Sequence, residues 1–338
     1  MRTYRQALHL LIAAVVILSG WVWVDRASAR PGVQSDTETG SSLNHVRTGI
    51  DVSEFTDVDG LGFLSPEEVK PWGRLFSDET DRILLAQGDV TYVAFEEGSN
   101  PKPGDLYTVY NSSSELDHPL TGRDMGYVIS FLGRVMLKEE VRPGIFKTQI
   151  IESFKPMQMG DPVIPFQPIS PCVRISTPQP GALDPSTGVT VSVAAAKDLS
   201  QVMGQFSVIY LNHGHAHGIH RGNLLQIVSP AEADQPKEPV LPDRALGYIL
   251  ILEARPQTST GLVITAKREF SSGVLLKPVP VEEILKKCLS YYGIDYNEAT
   301  LGNSLLDTLK RLTEKTGSQT DLAEPLRLLS TMPKCFLN

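Results

Sequence analysis

The first residues whose types and spacing could do chemistry lie between Asp57 and Glu68. Asp57, Asp59, Ser65 and Glu68 occupy positions 1, 3, 9 and 12 of a twelve-residue loop, and Gly62 occupies position 6. EF-hand loops place oxygen ligands for calcium at those positions and a glycine at the sixth. Position 5 offers no side-chain oxygen, however, and two prolines interrupt the exiting side, where a helix is needed. We therefore interpret the segment as a polar turn, DVDG, followed by a strand.

Four histidines form the second candidate: His213, His215, His217 and His220. Clustered imidazoles bind zinc, copper or nickel, and alternate residues of an extended chain point the same way. The cluster contains no acidic residue or cysteine, and two glycines make it pliable. We rank these residues as weak metal candidates, predict no resident metal, and interpret the segment as a turn between two strands. A metal-binding protein or an enzyme using this cluster is the alternative.

Catalytic motifs give no support for an enzyme. The chain contains no GxSxG elbow, HExxH helix, P-loop or GxGxxG opening a helix. No acidic pair is singled out by its spacing. We therefore predict no catalytic residue and no cofactor.

The first 29 residues have the composition of a secretory signal peptide. The positively charged start MRTYR precedes an apolar run without a charged residue until Asp25, and the small residues of ASA end at Ala29. This pattern predicts cleavage after Ala29. An uncleaved anchor helix is the alternative, because the run is about long enough to span a bilayer. Both readings place the remainder in the periplasm or cell envelope, with inner-membrane contact only if the leader is retained.

Three cysteines, Cys172, Cys288 and Cys335, are too far apart in sequence for a metal clip or a CxxC redox pair. An exported compartment permits disulfides. Cys288 and Cys335 both fall in the C-terminal region and could pair, which would leave Cys172 alone. The pairing stays open at this point.

Composition sets further limits. The chain has 338 residues, a formal net charge of −8 and 41% hydrophobic residues. An acidic balance disfavours a nucleic-acid partner, which rewards a basic face. The length suits two or three small domains with real cores.

Two stretches repeat the same order of strands and turns, at about 81–166 and 188–280. Gly104-Asp105-Leu106 corresponds to Gly222-Asn223-Leu224, and Gly126-Tyr127 corresponds to Gly247-Tyr248. Alternating apolar residues and turn-forming glycines favour a mainly β fold of two tandem small barrels or bent sheets. Gly104, Asp105, Gly222 and Asn223 are predicted to form structural turns.

The domain organisation follows from these patterns. Each repeat carries a long polar insertion, at 111–124 and 229–244. Helical spacing of apolar residues after 280 predicts a helical C-terminal region. The predicted division is a leader over 1–29, a disordered linker over 30–48, a first β-domain with its lead-in over 49–166, a linker over 167–187, a second β-domain over 188–280 and the helical region over 281–338.

The first repeat resembles the C-terminal region of bacterial LysM-containing envelope proteins of unknown function. The shared pattern covers Leu85 to Tyr92, Pro103-Gly104-Asp105, Gly126-Tyr127, and Gly160-Asp161 to Pro165. The resemblance covers roughly residues 60–280 and is looser in the second repeat, where it includes the turn NHGHAHGIHRGN. That turn also has a looser similarity to the C-terminal domain of FlgT and the β-domains of MreC. The segment before residue 60 is too short and polar for a LysM module.

That resemblance implies an envelope role without wall binding through LysM itself. We expect a non-catalytic periplasmic protein, associated with peptidoglycan or with envelope assembly, whose partner is an envelope protein or peptidoglycan. Exposed strand edges and the two insertions would make the contacts.

Overall fold

Antiparallel β-strands dominate the protein wherever the structure describes it. The structure is a computed structural model that describes residues 47–78, 84–176, 191–229, 244–279, 281 and 331–337. The strands are β1 (Arg47–Asp51), β2 (Phe63–Ser65), β3 (Gly73–Asp78), β4 (Val90–Phe95), β5 (Leu106–Asp117), β6 (Asp124–Arg142), β7 (Ile145–Ser153), β8 (Pro162–Pro165), β9 (Cys172–Val173), β10 (Val193–Ala196), β11 (Val202–Met203), β12 (Val208–Leu211), β13 (Leu224–Ser229), β14 (Arg244–Ala254), β15 (Ser259–Ala266), β16 (Phe270–Ser271), β17 (Leu275–Pro278) and β18 (Lys334–Leu337). Short 3₁₀ turns cover Val58–Gly60 and His215–His217. The prediction of a mainly β chain is confirmed.

The first sheet has seven strands in the order β2-β6-β5-β8-β3-β4-β7. The long strand β6 pairs with β5 and also with β7, so the sheet curls back on itself. Its apolar residues fill the inside of the curl, where they include Leu75, Val93, Val109, Leu137, Phe146 and Ile150.

The second sheet has six strands in the order β10-β12-β15-β14-β13-β17. It also curls, because residues at its two ends hydrogen-bond to each other. The Val193 N–H donates to the Val274 carbonyl at 3.1 Å, and the Leu276 N–H donates to the Val191 carbonyl at 2.9 Å. The inner core of this sheet includes Val193, Ile209, Leu225, Ile249, Ile251 and Val263.

The six strands β3 to β8 and the six strands β10, β12 to β15 and β17 follow one pairing scheme. We number the six strands of each set 1 to 6 in chain order. Strand 1 pairs with strands 2 and 6, and strand 2 also pairs with strand 5. Strand 5 pairs with strand 4, strand 4 with strand 3, and strand 3 with strand 6. A small extra pairing recurs as well. Leu85 bridges Met157 in the first sheet, and β11 pairs with β16 at the corresponding place in the second.

The outer face of the second sheet is covered by the start of the described chain. Ile50, Val52, Val58 and Leu61 are buried in one cluster with residues of β13, β14 and β15. The sequence assigns this lead-in to the first β-domain, but its core contacts are with the second sheet. Strand β14 is therefore buried on both faces, as its unbroken apolar run YILIL requires.

A third, three-stranded sheet has the order β18-β1-β9 and contains a disulfide. Cys172 on β9 is bonded to Cys335 on β18, with Cα atoms 5.7 Å apart. The sequence left the pairing of the three cysteines open, and the structure pairs Cys172 with Cys335, because β9 and β18 lie on the two sides of β1. Cys288 lies outside the described residues.

Two predicted segments differ from the structure. The polar insertion at 111–124 is not a long loop, because β5 continues to Asp117 and β6 begins at Asp124, so most of it is a β-hairpin. Lys334–Leu337, predicted to be helical, form strand β18 because they pair with β1. The rest of the predicted helical region lies outside the described residues, except for Val281 and residues 331–333. Most of the second insertion, the predicted leader with Ala29, and residues 30–46 of the predicted linker also lie outside them.

Candidate functional site

A cleft runs along the junction of the two sheets, on both sides of the connecting segment 167–170. Two adjoining hollows of about 520 Å³ and about 580 Å³ form it. They share Pro168, Ile169 and Glu253 as lining residues. Hollows of this size are typical of sites for small ligands. The side chains that line the first hollow, of about 520 Å³, include Phe63, Lys70, Trp72, Phe131, Gln167 and Arg255.

Trp72 presents the most exposed aromatic ring of the cleft, because its backbone is fixed by two neighbouring strands. Its N–H donates to the Val163 carbonyl at 2.9 Å, and its carbonyl accepts from the Glu96 N–H at 2.8 Å. Its side chain remains 41% exposed. The ring is therefore held at the surface by a backbone that cannot easily turn it inward.

Phe63 forms the floor of the first hollow. The preceding Gly62 has φ of +65°, and a Cβ there would lie 2.2 Å from the Ile129 carbonyl oxygen, so only glycine can make this entry into β2. The Phe63 ring packs edge to face with Phe131 at a centroid distance of 5.9 Å. The Arg255 guanidinium lies 3.3 Å above the Phe63 ring centroid. This stacking joins the first sheet to the second across the floor of the cleft.

Arg255 and Glu253 bring opposite charges to the junction. Arg255 Nε lies 3.3 Å from Glu253 Oε1. The two groups form an ion pair, but the Nε–H group does not have hydrogen-bond geometry towards the carboxylate. Burial lowers the pKa of Arg255, and the Glu253 carboxylate opposes that change. Lys70 is exposed at the other wall, and no described carboxylate forms an ion pair with it.

Arg221 organises the second hollow by binding backbone carbonyls. Its guanidinium donates to the carbonyls of Leu252, Ser170 and Cys172, the last at 3.4 Å. It thereby attaches the segment before β9 to strand β14. Burial lowers the pKa of Arg221. His215 and His220 line this same hollow.

The histidine cluster divides between two places. His215–His217 form a 3₁₀ turn, so the alternating arrangement expected of an extended chain is absent. The His213 and His217 rings pack edge to face with their centroids 4.6 Å apart. These two rings do not line the second hollow, which His215 and His220 do. Burial, and then the neighbouring His217 and His118, lower the pKa of His213 to about 4. No group of three or more described metal-ligating side chains has the geometry to hold a metal ion.

His118, which the sequence did not single out, contacts the same region from the first sheet. It lies at the tip of the β5–β6 hairpin, and its Nε2 is 3.3 Å from Ser192 Oγ and 3.0 Å from Asn212 Nδ2. A serine beside a histidine can act as a nucleophile. Ser192 is completely buried, however, so its hydroxyl cannot reach a substrate from solvent. The contact instead joins the hairpin to the second sheet.

The four predicted turn residues do form turns, and the two turns share one conformation. Gly104 and Gly222 have φ of +92° and +88°. The Asp105 carboxylate and the Asn223 amide oxygen each accept from the backbone N–H two residues before the glycine, at 2.9 and 2.7 Å. These residues shape strand entry and do not line the cleft.

The same turn recurs elsewhere in both sheets. The Asp89 and Asp161 carboxylates accept from backbone N–H groups three residues earlier, at 2.9 and 2.8 Å, after Gly88 and Gly160 with positive φ. In the second sheet the Ser207 hydroxyl accepts from the Gly204 N–H at 3.0 Å. Ser207 follows Phe206, a non-glycine residue with φ of +64°. Left-handed backbone is uncommon for such a residue.

The calcium-like segment is the turn that the sequence analysis favoured. Asp57 precedes the first 3₁₀ turn, and its side chain accepts from the Asp59 N–H at 3.1 Å. Asp59 pairs with Arg134 at 3.1 Å. Strand β2 then follows, as expected of GFLS. These acidic groups are thus engaged in shaping the turn and in an ion pair.

Comparisons with known proteins do not assign the chain to a family. No protein-family model matches the chain, and no curated protein matches it. Within the described residues, no helix is both long and apolar enough to cross a bilayer. The functional interpretation therefore depends on the geometry of the cleft.

Sequence reasoning missed the residues of this cleft. Phe63, Phe131 and Arg255 come from three separate strands or strand ends, and no spacing in the sequence relates them. Trp72, beside Lys70 and Pro71 in a polar stretch, was the one visible signal, since a large aromatic residue in such a stretch often serves binding. The arrangement offers aromatic surface with a few charged and amide groups.

Proposed function

We propose that the chain is a non-catalytic binding protein of the periplasmic cell envelope, associated with peptidoglycan, and that the cleft at the sheet junction is its binding site. The observation that carries this proposal is the aromatic and charged lining of that cleft, with Trp72 held at its surface. The cleft, and not the strand edges or the polar insertions, is therefore the surface that we expect to contact the ligand. In each curled sheet the edges are largely paired, and the first insertion is a hairpin that docks on the second sheet.

The disulfide supports an exported location. Disulfides form and persist mainly in oxidising compartments such as the bacterial periplasm. The Cys172–Cys335 bond closes a sequence separation of 163 residues. It attaches β18 to β9, the two strands that flank β1, and a reducing compartment would not maintain it.

The shared pairing scheme supports a finer description of the fold. Each set of six strands closes through hydrogen bonds, by β6–β7 pairing in the first sheet and by residues 191–193 with 273–276 in the second. We infer that the two sheets are diverged copies of one small barrel. Duplication places two rigid units side by side, and a cleft at their junction is a common location for a ligand site.

The junction is rigid enough to keep the cleft formed without a ligand. Thr258 Oγ1 donates to the Leu64 carbonyl at 2.6 Å, and Leu64 and Val128 pack against Ala194 and Tyr210. A preformed site avoids the cost of ordering its walls on binding.

Sedimentation with purified peptidoglycan sacculi tests the proposal. We expect the protein to pellet with sacculi and to remain in solution without them. Recovery of all the protein in the supernatant, at both low and moderate salt, would contradict association with the wall. Sacculi digested to soluble fragments provide the control, since the protein should then stay in solution.

A further inference from the structure

The lining of the cleft carries a net positive charge, although the protein as a whole is acidic. This charge narrows the class of envelope ligand that the cleft can bind. The first hollow contains Lys70 and Arg255 against one carboxylate, Glu253. Glu253 is already paired with Arg255. The chain as a whole has a formal net charge of −8. Among the described residues that line this hollow, the charge left without an ion-pair partner is thus the ammonium group of Lys70.

The aromatic residues indicate the other part of the ligand. Trp72 is 41% exposed, and Phe131 is half-buried beside Phe63. Flat aromatic faces of this kind pack against the apolar C–H face of a sugar ring, while the hydroxyls of the ring remain available for hydrogen bonds. Gln167 and Thr108 also line the hollow and can bond to hydroxyl or acetamido groups.

We infer that the cleft binds an N-acetylated amino sugar that carries a carboxylate, with its ring on Trp72 and its carboxylate at Lys70. This inference rests on the proposed function, because it assigns the cleft to wall glycan from which the peptide has been removed, so that the carboxylate of its muramic acid residues is free. A neutral N-acetylated sugar fits the aromatic faces equally well but offers nothing to the ammonium group. A charge-assisted hydrogen bond distinguishes the two ligands.

The positions of the tryptophans provide a direct measurement. The chain has three tryptophans, Trp21, Trp23 and Trp72, and only Trp72 lies beyond the leader. In the full chain with Trp21→Phe and Trp23→Phe, tryptophan fluorescence reports on the cleft alone. The two matched probes are N-acetylmuramic acid, which has a carboxylate, and N-acetylglucosamine, which has the same ring without it.

We expect N-acetylmuramic acid to change the emission of Trp72, with a dissociation constant on the order of millimolar for a single sugar. N-acetylglucosamine should bind about tenfold more weakly, because it lacks the charge-assisted hydrogen bond. Lys70→Gln should remove that difference, and Lys70→Arg should retain it. Lys70 is exposed, so neither substitution threatens folding.

Three results would overturn the inference. They are equal affinity for the two sugars, no response to either sugar, and a response to a short acidic peptide in place of the sugars. If the same protein still pellets with sacculi, only the ligand assignment fails. If it does not pellet, the proposed function fails as well.

Discussion

The Tyr210 hydroxyl, in the second sheet, donates a 2.8 Å hydrogen bond to the carbonyl of Leu61, at the entrance to the first sheet. Both residues are completely buried. Burial raises the pKa of Tyr210, so the phenol stays protonated and able to donate throughout the physiological range. The bond lies next to Gly62, the turn that aims Phe63 into the cleft. It therefore couples the floor of the candidate site to the packing of the two sheets.

Tyr210→Phe tests that coupling. The substitution leaves the Leu61 carbonyl buried without its donor, which costs on the order of 1–3 kcal/mol. We expect the free energy of unfolding in urea to fall by about that amount. Tyr127→Phe is the matched control, because its hydroxyl bonds to Glu115 at the surface. Equal stability of the two variants would show that the buried bond contributes little.

The two equivalent turns should respond differently to alanine. Gly104 and Gly222 both have positive φ, so either substitution strains the backbone by roughly 1 kcal/mol. A Cβ on Gly222 would lie 1.9 Å from the Arg174 carbonyl oxygen, whereas nothing lies within 4 Å of one on Gly104. Gly222→Ala should therefore lower the urea midpoint much more than Gly104→Ala. Similar losses for both would contradict the close approach at Arg174.

Loss of the disulfide should destabilise the protein. Cys335→Ser opens a bond with a sequence separation of 163 residues and so restores entropy to the unfolded chain, worth about 4–5 kcal/mol in the loop-entropy account. We expect a lower thermal midpoint for Cys335→Ser and for Cys172→Ser than for the natural protein. Peptide mapping without reduction should recover Cys172 linked to Cys335. A linked Cys288–Cys335 peptide would contradict the fold of the third sheet.

His213 should make the protein less stable in mild acid. Burial lowers its pKa to about 4 in the folded state, whereas the unfolded side chain titrates near 6.5. The unfolded state therefore binds more protons between those values, and stability falls as the pH drops from about 6.5 to about 4. Urea titrations across this range should show that slope for the natural protein, and a smaller one for His213→Gln. The exposed His215→Gln provides the control, and an unchanged slope in His213→Gln would assign the effect to other groups.

Local patterns predicted the strands and turns well, because those features depend on neighbouring residues. The Gly-Asp and Gly-Asn pairs at 104–105 and 222–223 indicated turns since glycine takes positive φ and the next side chain can accept from a nearby N–H. Gly104 and Gly222 also lie at matching places in the two sheets. The match of Gly126 with Gly247 is wrong, because Val109 pairs with Gly133 as Ile227 pairs with Gly247, so Gly247 corresponds to Gly133. These are short-range signals that survive without knowledge of the fold.

Contacts between distant segments were not predictable in the same way. Ile50 to Leu61 precede the first sheet in sequence but pack on the second sheet, and His118 reaches Asn212 from the tip of a hairpin. Nothing local encodes either contact. The unbroken run YILIL in β14 was a usable clue, because burial on both faces requires some other segment to cover the outer face. The cleft depends on such long-range contacts, so its residues could not be assembled from spacing.

Sedimentation of Trp72→Ala with sacculi tests the assignment of the cleft most directly. Phe76→Ala is the matched control, since Phe76 is 63% exposed nearby in the chain but does not line the cleft. Removing a central aromatic contact typically costs a complex on the order of 2 kcal/mol, roughly a thirtyfold loss of affinity. We predict that Trp72→Ala remains largely in the supernatant while Phe76→Ala pellets like the natural protein. Undiminished pelleting of Trp72→Ala would contradict the cleft as the binding site.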